Sequence, residues 1–288
     1  MKKHILCFMA ILLVGLWGTG AFAFERALGD LGKPDDYEQT ILDFRQIIPN
    51  FDDFIDQYDP AFDWRDSGNV TPADDQGSCG SCWAFASVGA LESKILIGGE
   101  SQYDLSEQQV ISCNTYGYSC CGGSMVALQF WYSQSPMQES CTGYGDYTTS
   151  CPPDATNVTC SSMDACAKLA YNTTGYYTVD MSNNDNIKAS LLTDGPTYFR
   201  YDFYSDFYTH WSSAPPGAVY TQTSGTDLGG HAVLIIGWDD SKGAWLCKNS
   251  WGPSGGPDSD GTFWIAYSGH VHNLGFGMAN IEVTAAPV

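Results

Sequence analysis

The chain has 288 residues, 43% of them apolar and 14% aromatic, enough to bury a sizeable core in one large domain or two small lobes and too many for a disordered chain. Its 33 acidic residues outnumber 12 basic ones, giving a net charge of -21. That balance repels nucleic acid and anionic membranes, so neither is an expected partner, and it favours a soluble, self-repelling particle.

Lys2 and Lys3 precede an apolar run over residues 5–17, and the small-residue pattern Ala21-Phe22-Ala23 follows at once. The run is shorter than the roughly 20 residues that a membrane span needs, so residues 1–23 read as a signal peptide cleaved after Ala23 rather than as an anchor. The expected product is secreted, extracellular or periplasmic, and free of the membrane. Cys7 leaves with the leader; the ten remaining cysteines can pair in an oxidising compartment.

Residues 24–58 form an acidic stretch with apolar positions such as Ile41, Leu42, Phe44, Ile47 and Ile48, which predicts one or two short helices. It reads either as an N-terminal extension or as a pro-segment covering a cleft until removed. Small and apolar residues then run without proline over 81–96 up to Gly98-Gly99, predicting a helix that starts at a cysteine. A second helix is signalled by Ser106 and Gln109 at reciprocal capping spacing, and a third by residues 125–132. Residues 142–174, rich in Thr, Ser, Pro, Asp and Cys, read as disulfide-tied loops. Beyond them come a short helix at 187–192 and strands at 197–201, 231–237, 244–248 and 262–267. The expected architecture is α+β in two lobes within a domain over 59–288, helical over about 66–175 and strand-rich over about 176–288, with the site in the cleft between them.

The chemistry centres on Gln76-Gly77-Ser78-Cys79-Gly80-Ser81-Cys82-Trp83, where the Cys82 thiol sits in the first turn of an apolar helix. Aligned peptide dipoles there favour thiolate over thiol, and thiolate is the form that attacks a carbonyl. Such a nucleophile needs an imidazole and a group to orient it. Of the five histidines, His231 alone opens an apolar strand, directly after Gly229-Gly230. Asn249 follows eighteen residues later in Lys248-Asn249-Ser250-Trp251-Gly252; its carboxamide can fix the imidazole tautomer, with Trp251 as a shield.

With these residues the chain resembles the papain family of cysteine proteases over roughly residues 61–283, a stretch that also carries Phe62-Asp63-Trp64-Arg65 and Leu105-Ser106-Glu107-Gln108. The resemblance implies Cys82 as nucleophile, His231 as general acid and base, Asn249 as orienting group, and Gln76 with the Cys82 N–H as oxyanion donors. It further implies that Gly122 and Gly123 pair with an extended substrate backbone, that Trp83, Gly230 and Trp251 border the substrate cleft, and that Met125 lines the pocket for the second residue before the cut, with an apolar preference there. No cofactor and no metal are implied, the substrates are proteins or peptides, the pro-segment is a candidate inhibitor, and a monomer is expected. For the cysteines, the resemblance implies Cys79 with Cys120, and Cys113 with Cys151 or Cys160; Cys121, Cys141 and Cys166 leave further bridges open, and Cys247 reads as a buried free thiol. The family's usual bridge in the second lobe is missing, and Pro253-Ser254-Gly255-Gly256-Pro257 replaces a second tryptophan often found after Asn-Ser-Trp-Gly.

Cys79-Gly80-Ser81-Cys82 alone fits a two-cysteine redox motif equally well, but no strand or βαβ pattern surrounds it, and the cysteine spacings are too irregular for a metal site. An idle papain-type fold that only binds, and exopeptidase or transpeptidase action, are the alternatives to an endopeptidase.

Overall fold

The computed structural model describes residues 26–38, 58–146, 151 and 157–285. The expected signal peptide and the helices expected around Ile41 to Ile48 lie outside the described residues.

The helix expected at 81–96 is α1, Cys82–Ile97, with every residue but Lys94, Leu96 and Ile97 buried. A helix apolar on all sides belongs in the interior, and α1 lies between the two lobes. Gly89 of α1 faces the Leu234 side chain of the sheet, where a Cβ would make an ordinary contact at 3.4 Å. Helix α2, Glu107–Cys113, starts as expected: the Ser106 hydroxyl accepts the Gln109 N–H at 3.1 Å. The reciprocal half is absent, because the Gln109 side chain turns instead to Ser135 O and Met137 N. Residues Met125–Tyr132 form a 3₁₀ helix rather than an α-helix.

The strand-rich half is one mixed, mostly antiparallel sheet of β1 (Ala61–Asp63), β2 (Tyr171–Thr178), β3 (Thr197–Tyr204), β4 (Val219–Tyr220), β5 (Asp227–Asp239), β6 (Ala244–Lys248), β7 (Thr262–Ala266) and β8 (Gly277–Ala285). Its order is β2-β8-β3-β5-β6-β7-β4, with β1 paired to β5 and only β4–β7 parallel. Helices α3 (Asn184–Asp194) and α4 (Asp206–Ser213) flank β3 in sequence. Alternation along β5 sends Ala232, Leu234 and Ile236 to a core shared with α1, and Val233 and Ile235 to an aromatic core around Phe199, Tyr201, Phe203 and Phe207. Because Arg200 is paired with Ala232 and Tyr201 with His231, the two faces of this strand pair serve different parts of the cleft.

Four disulfides, all within the first half of the fold, join Cys79 to Cys120, Cys113 to Cys160, Cys121 to Cys151 and Cys141 to Cys166. Cys160 is thus the partner of Cys113, and Cys247 is free and buried. The mix of helices and sheet is the expected α+β arrangement.

Candidate active site

Cys82 stands at the first residue of α1 and is fully buried. The Ala232 N–H reaches its sulphur at 3.5 Å, so β5 presents the residue next to His231 directly to the thiol. The His231 ring lies 5.8 Å from Tyr201 and Phe203 and 5.0 Å from Trp251, an aromatic surround that holds its orientation. Its Nε2 is 2.8 Å from Asn249 Oδ1. Since an amide oxygen can only accept, Nε2 carries the proton and Nδ1 keeps its lone pair. Nδ1 is buried with no hydrogen-bond partner, free to exchange a proton.

The Asn249 oxygen also accepts the Ser250 N–H at 2.9 Å, while the Ser250 hydroxyl donates to Gln76 Oε1 at 2.6 Å. Gln76 is thereby locked to the loop that carries Asn249, and its Nε2 donates to Ala27 O and Cys79 O, both at 2.9 Å. Trp211 of α4 packs edge-on against Trp251 at 5.2 Å and fills the space over Gly255 and Gly256. A tryptophan from another element thus stands over the loop where the expected second one is missing.

Residues 26–32 run through this cleft. Gly123 N–H donates to Gly29 O at 2.8 Å, Leu31 N–H to Gly123 O at 2.8 Å, and Asp30 N–H to Gly230 O at 3.1 Å. Asp30 therefore pairs parallel with Gly123 and antiparallel with Gly230. A Cβ on Gly123 would meet the Trp83 ring at 2.5 Å, and one on Gly29 would meet Gly80 O at 1.7 Å, so bare backbone is needed on both sides of this contact. Arg26 forms an ion pair with Asp75 at one end. The Gly29 N–H is turned towards the Cys82 sulphur.

Burial governs the charge state of the pair. Burial first, and then the nearby Asp30 carboxylate, push the Cys82 thiol up to about 12. Burial lowers His231 to about 4, against the hydrogen bond to Asn249. The helix N-terminus was expected to favour thiolate; beneath residues 26–32 the loss of water outweighs it, and thiol and imidazole are both uncharged.

The structure brings Cys82, His231, Asn249 and Gln76 together and lays Gly123, Gly230 and Trp83 along the segment in the cleft, with the Gly122 backbone beside Leu31. Met125 is buried in the core that holds Trp83 and Tyr198. On the β3 side of the cleft, the Asp30 side chain meets Arg200 and Tyr198. Neither residue stood out in the sequence, although Arg200 is the lone cation of an otherwise aromatic strand.

A family model described as papain family cysteine protease matches residues 58–284. Cathepsin O of Homo sapiens is 34% identical over 229 residues, covering 78% of this chain and 66% of that protein. Cathepsin B-like cysteine proteinase 3 of Caenorhabditis elegans is 32% identical over 253 residues, 78% of this chain and 65% of the relative. The chain thus spans about two thirds of the length of these relatives. Among solved structures, a digestive procathepsin L2 proteinase from Tenebrio molitor larval midgut superposes with a TM-score of 0.60 at 30% identity, covering 78% of this chain and 68% of that one. With the matched model extending over most of its length and the expected residues gathered in one cleft, this chain belongs to the papain family of cysteine proteases.

Proposed function

We propose that the chain is a secreted cysteine endopeptidase, made as a latent precursor whose residues 26–38 cover the cleft. The observation that carries this reading is the single hydrogen-bonded array in which Cys82 lies beside Ala232 N, His231 is held by Asn249, and Gln76 already grips a peptide carbonyl, that of Ala27. Once the segment leaves, His231 Nδ1 takes the Cys82 proton, the thiolate attacks a substrate carbonyl carbon, and Gln76 Nε2 with the Cys82 N–H bears the oxyanion. The C–N bond breaks as the His231 imidazolium gives its proton to the leaving amine. Water, deprotonated by His231, then cleaves the thioester and regenerates the thiol.

Residues 1–23 are assigned as signal peptide, 24–58 as pro-segment and 59–288 as peptidase domain. Four disulfides fit an oxidising compartment, and no helix among the described residues is long and apolar enough to cross a membrane. The Tenebrio molitor relative is itself a procathepsin, which supports latency. The test is digestion of denatured casein by the chain after limited proteolysis ahead of Ala61. Cys82→Ala and His231→Ala should each lower the rate at least about a thousandfold; undiminished cleavage in either variant rejects the assignment. An activated parent chain that binds peptides without cutting them would support the idle-site alternative.

A further inference from the structure

The pocket beside Gly123 is built for a carboxylate. Arg200 Nε donates to Asp30 Oδ1 at 2.8 Å, and the Tyr198 hydroxyl donates to Asp30 Oδ2 at 2.6 Å, so each carboxylate oxygen has a donor from β3. The Asp30 side chain is fully buried, and the Arg200 side chain is 6% exposed. Arg200 does not depend on Asp30 for its position: Nη2 donates to Asp202 Oδ1 at 2.7 Å and Nη1 to Gly275 O at 2.7 Å. These two contacts fix the guanidinium plane and leave its Nε edge facing the cleft. Asp202 also keeps the arginine paired when the segment is gone.

Gly230 completes the pocket. A Cβ there would stand 2.8 Å from both Arg200 Nη2 and Asp30 Oδ1, so its missing side chain is the space that the ion pair occupies. The register explains the placement. Tyr198, Arg200 and Asp202 share one face of β3, opposite Leu234, Ala232 and Gly230 of β5. The segment pairs parallel with Gly123 and antiparallel with Gly230, and in that pairing the Asp30 side chain enters this face.

We infer that Arg200, with Tyr198 and Gly230, makes this peptidase select substrates carrying an acidic residue, aspartate first, at the position that pairs with Gly123, the second before the cut. The inference rests on the proteolytic reading above and adds the substrate class. In this account Asp30 is an internal occupant of the subsite that a substrate aspartate later takes. An apolar side chain would leave Arg200 Nε and the Tyr198 hydroxyl without partners, and sites built to hydrogen-bond a substrate group strongly reject analogues that lack it. A lysine would meet the guanidinium directly.

The test uses the full chain activated by limited proteolysis and peptides that differ only at that position. Hydrolysis should be at least about 30-fold more efficient with Asp than with Asn or Leu. Arg200→Leu should abolish the preference while leaving the Leu peptide cleaved as well or better; Tyr198→Phe should weaken it several-fold; and Arg200→Lys should restore part of it. A parent that prefers Leu, or an Arg200→Leu variant that loses all peptides alike, overturns the proposal. A binding arm separates it from proteolysis: a labelled peptide of residues 26–38 should bind the activated Cys82→Ala chain at least tenfold tighter than its Asp30→Asn form. Equal binding overturns the acidic subsite even where casein is cleaved. Discrimination in binding without any cleavage by the parent upholds the subsite and rejects the peptidase reading alone.

Discussion

Replacing Asp30 by asparagine in the intact chain should open the latent cleft. The substitution keeps the shape of the side chain but removes the charge that faces Arg200 in a site closed to water. Breaking one side of a buried ion pair costs about 3–5 kcal/mol. Asparagine still offers an oxygen to Arg200 or Tyr198, and Asp202 continues to neutralise the arginine, so about 2 kcal/mol is the appropriate figure for this variant. At about 1.4 kcal/mol per factor of ten, the open population rises about 30-fold. Iodoacetamide labelling of Cys82 at neutral pH reads that population, because the covered thiol is both uncharged and inaccessible, while buried Cys247 provides an internal control. The Asp30→Asn chain should label about 30-fold faster than its parent, with unchanged circular dichroism. A rate within twofold of the parent would show that the ion pair does not hold the segment down.

Further outcomes follow from the same geometry. Burial raises the Glu92 carboxyl to about 7 from an ordinary 4.5, with Lys248 opposing. Between those values the folded chain keeps a proton that the unfolded chain has released, so this contribution is full below about 4.5 and is lost as pH rises through 7, by up to about 3 kcal/mol. Urea unfolding at pH 4.5 and 7.5 should show that fall, and Glu92→Gln should reduce it, the buried Glu107 and half-buried Asp74 carboxyls, also raised, keeping the remainder. Asn249→Ala should cut kcat about 10- to 100-fold with KM little changed, because the imidazole loses its orienting acceptor rather than its chemistry; an equal rise in KM would place Asn249 in substrate binding instead. Replacing Cys113 and Cys160 together by serine opens a bridge spanning 47 residues and should cost about 4 kcal/mol by loop entropy, read as a lower urea midpoint. Gly123→Ala should impair peptide hydrolysis and retention of the segment together, since its Cβ meets the Trp83 ring.

What the sequence made legible was what short segments encode. The run of small and apolar residues after Cys82 is enough for α1, and the continuous apolar stretches at β5, β6 and β7 announce buried strands. The four residues of the reactive array sit in local motifs, so their meeting was expected before their distances were known. Strands β2 and β8 were not legible: Tyr171–Thr178 is polar and aromatic without alternation, and it gains its place by pairing with β8 from the other end of the domain. Helix α4 was hidden for a similar reason, as its aromatic residues are held by Trp251 and Phe263 rather than by a helical stripe. The charged pocket was the deepest omission. Arg200 and Asp30 are 170 positions apart, and only the β3–β5 register and the path of residues 26–32 bring them together.

The most direct measurement is mass mapping of an epoxide-type thiol inhibitor on the full chain, before and after proteolytic removal of the residues ahead of Ala61, with casein cleavage followed in parallel. The account predicts no adduct on the intact chain, a single adduct at Cys82 after removal, and loss of casein cleavage in proportion to labelling. An adduct at another cysteine, or casein cleavage that persists with Cys82 fully modified, would contradict it.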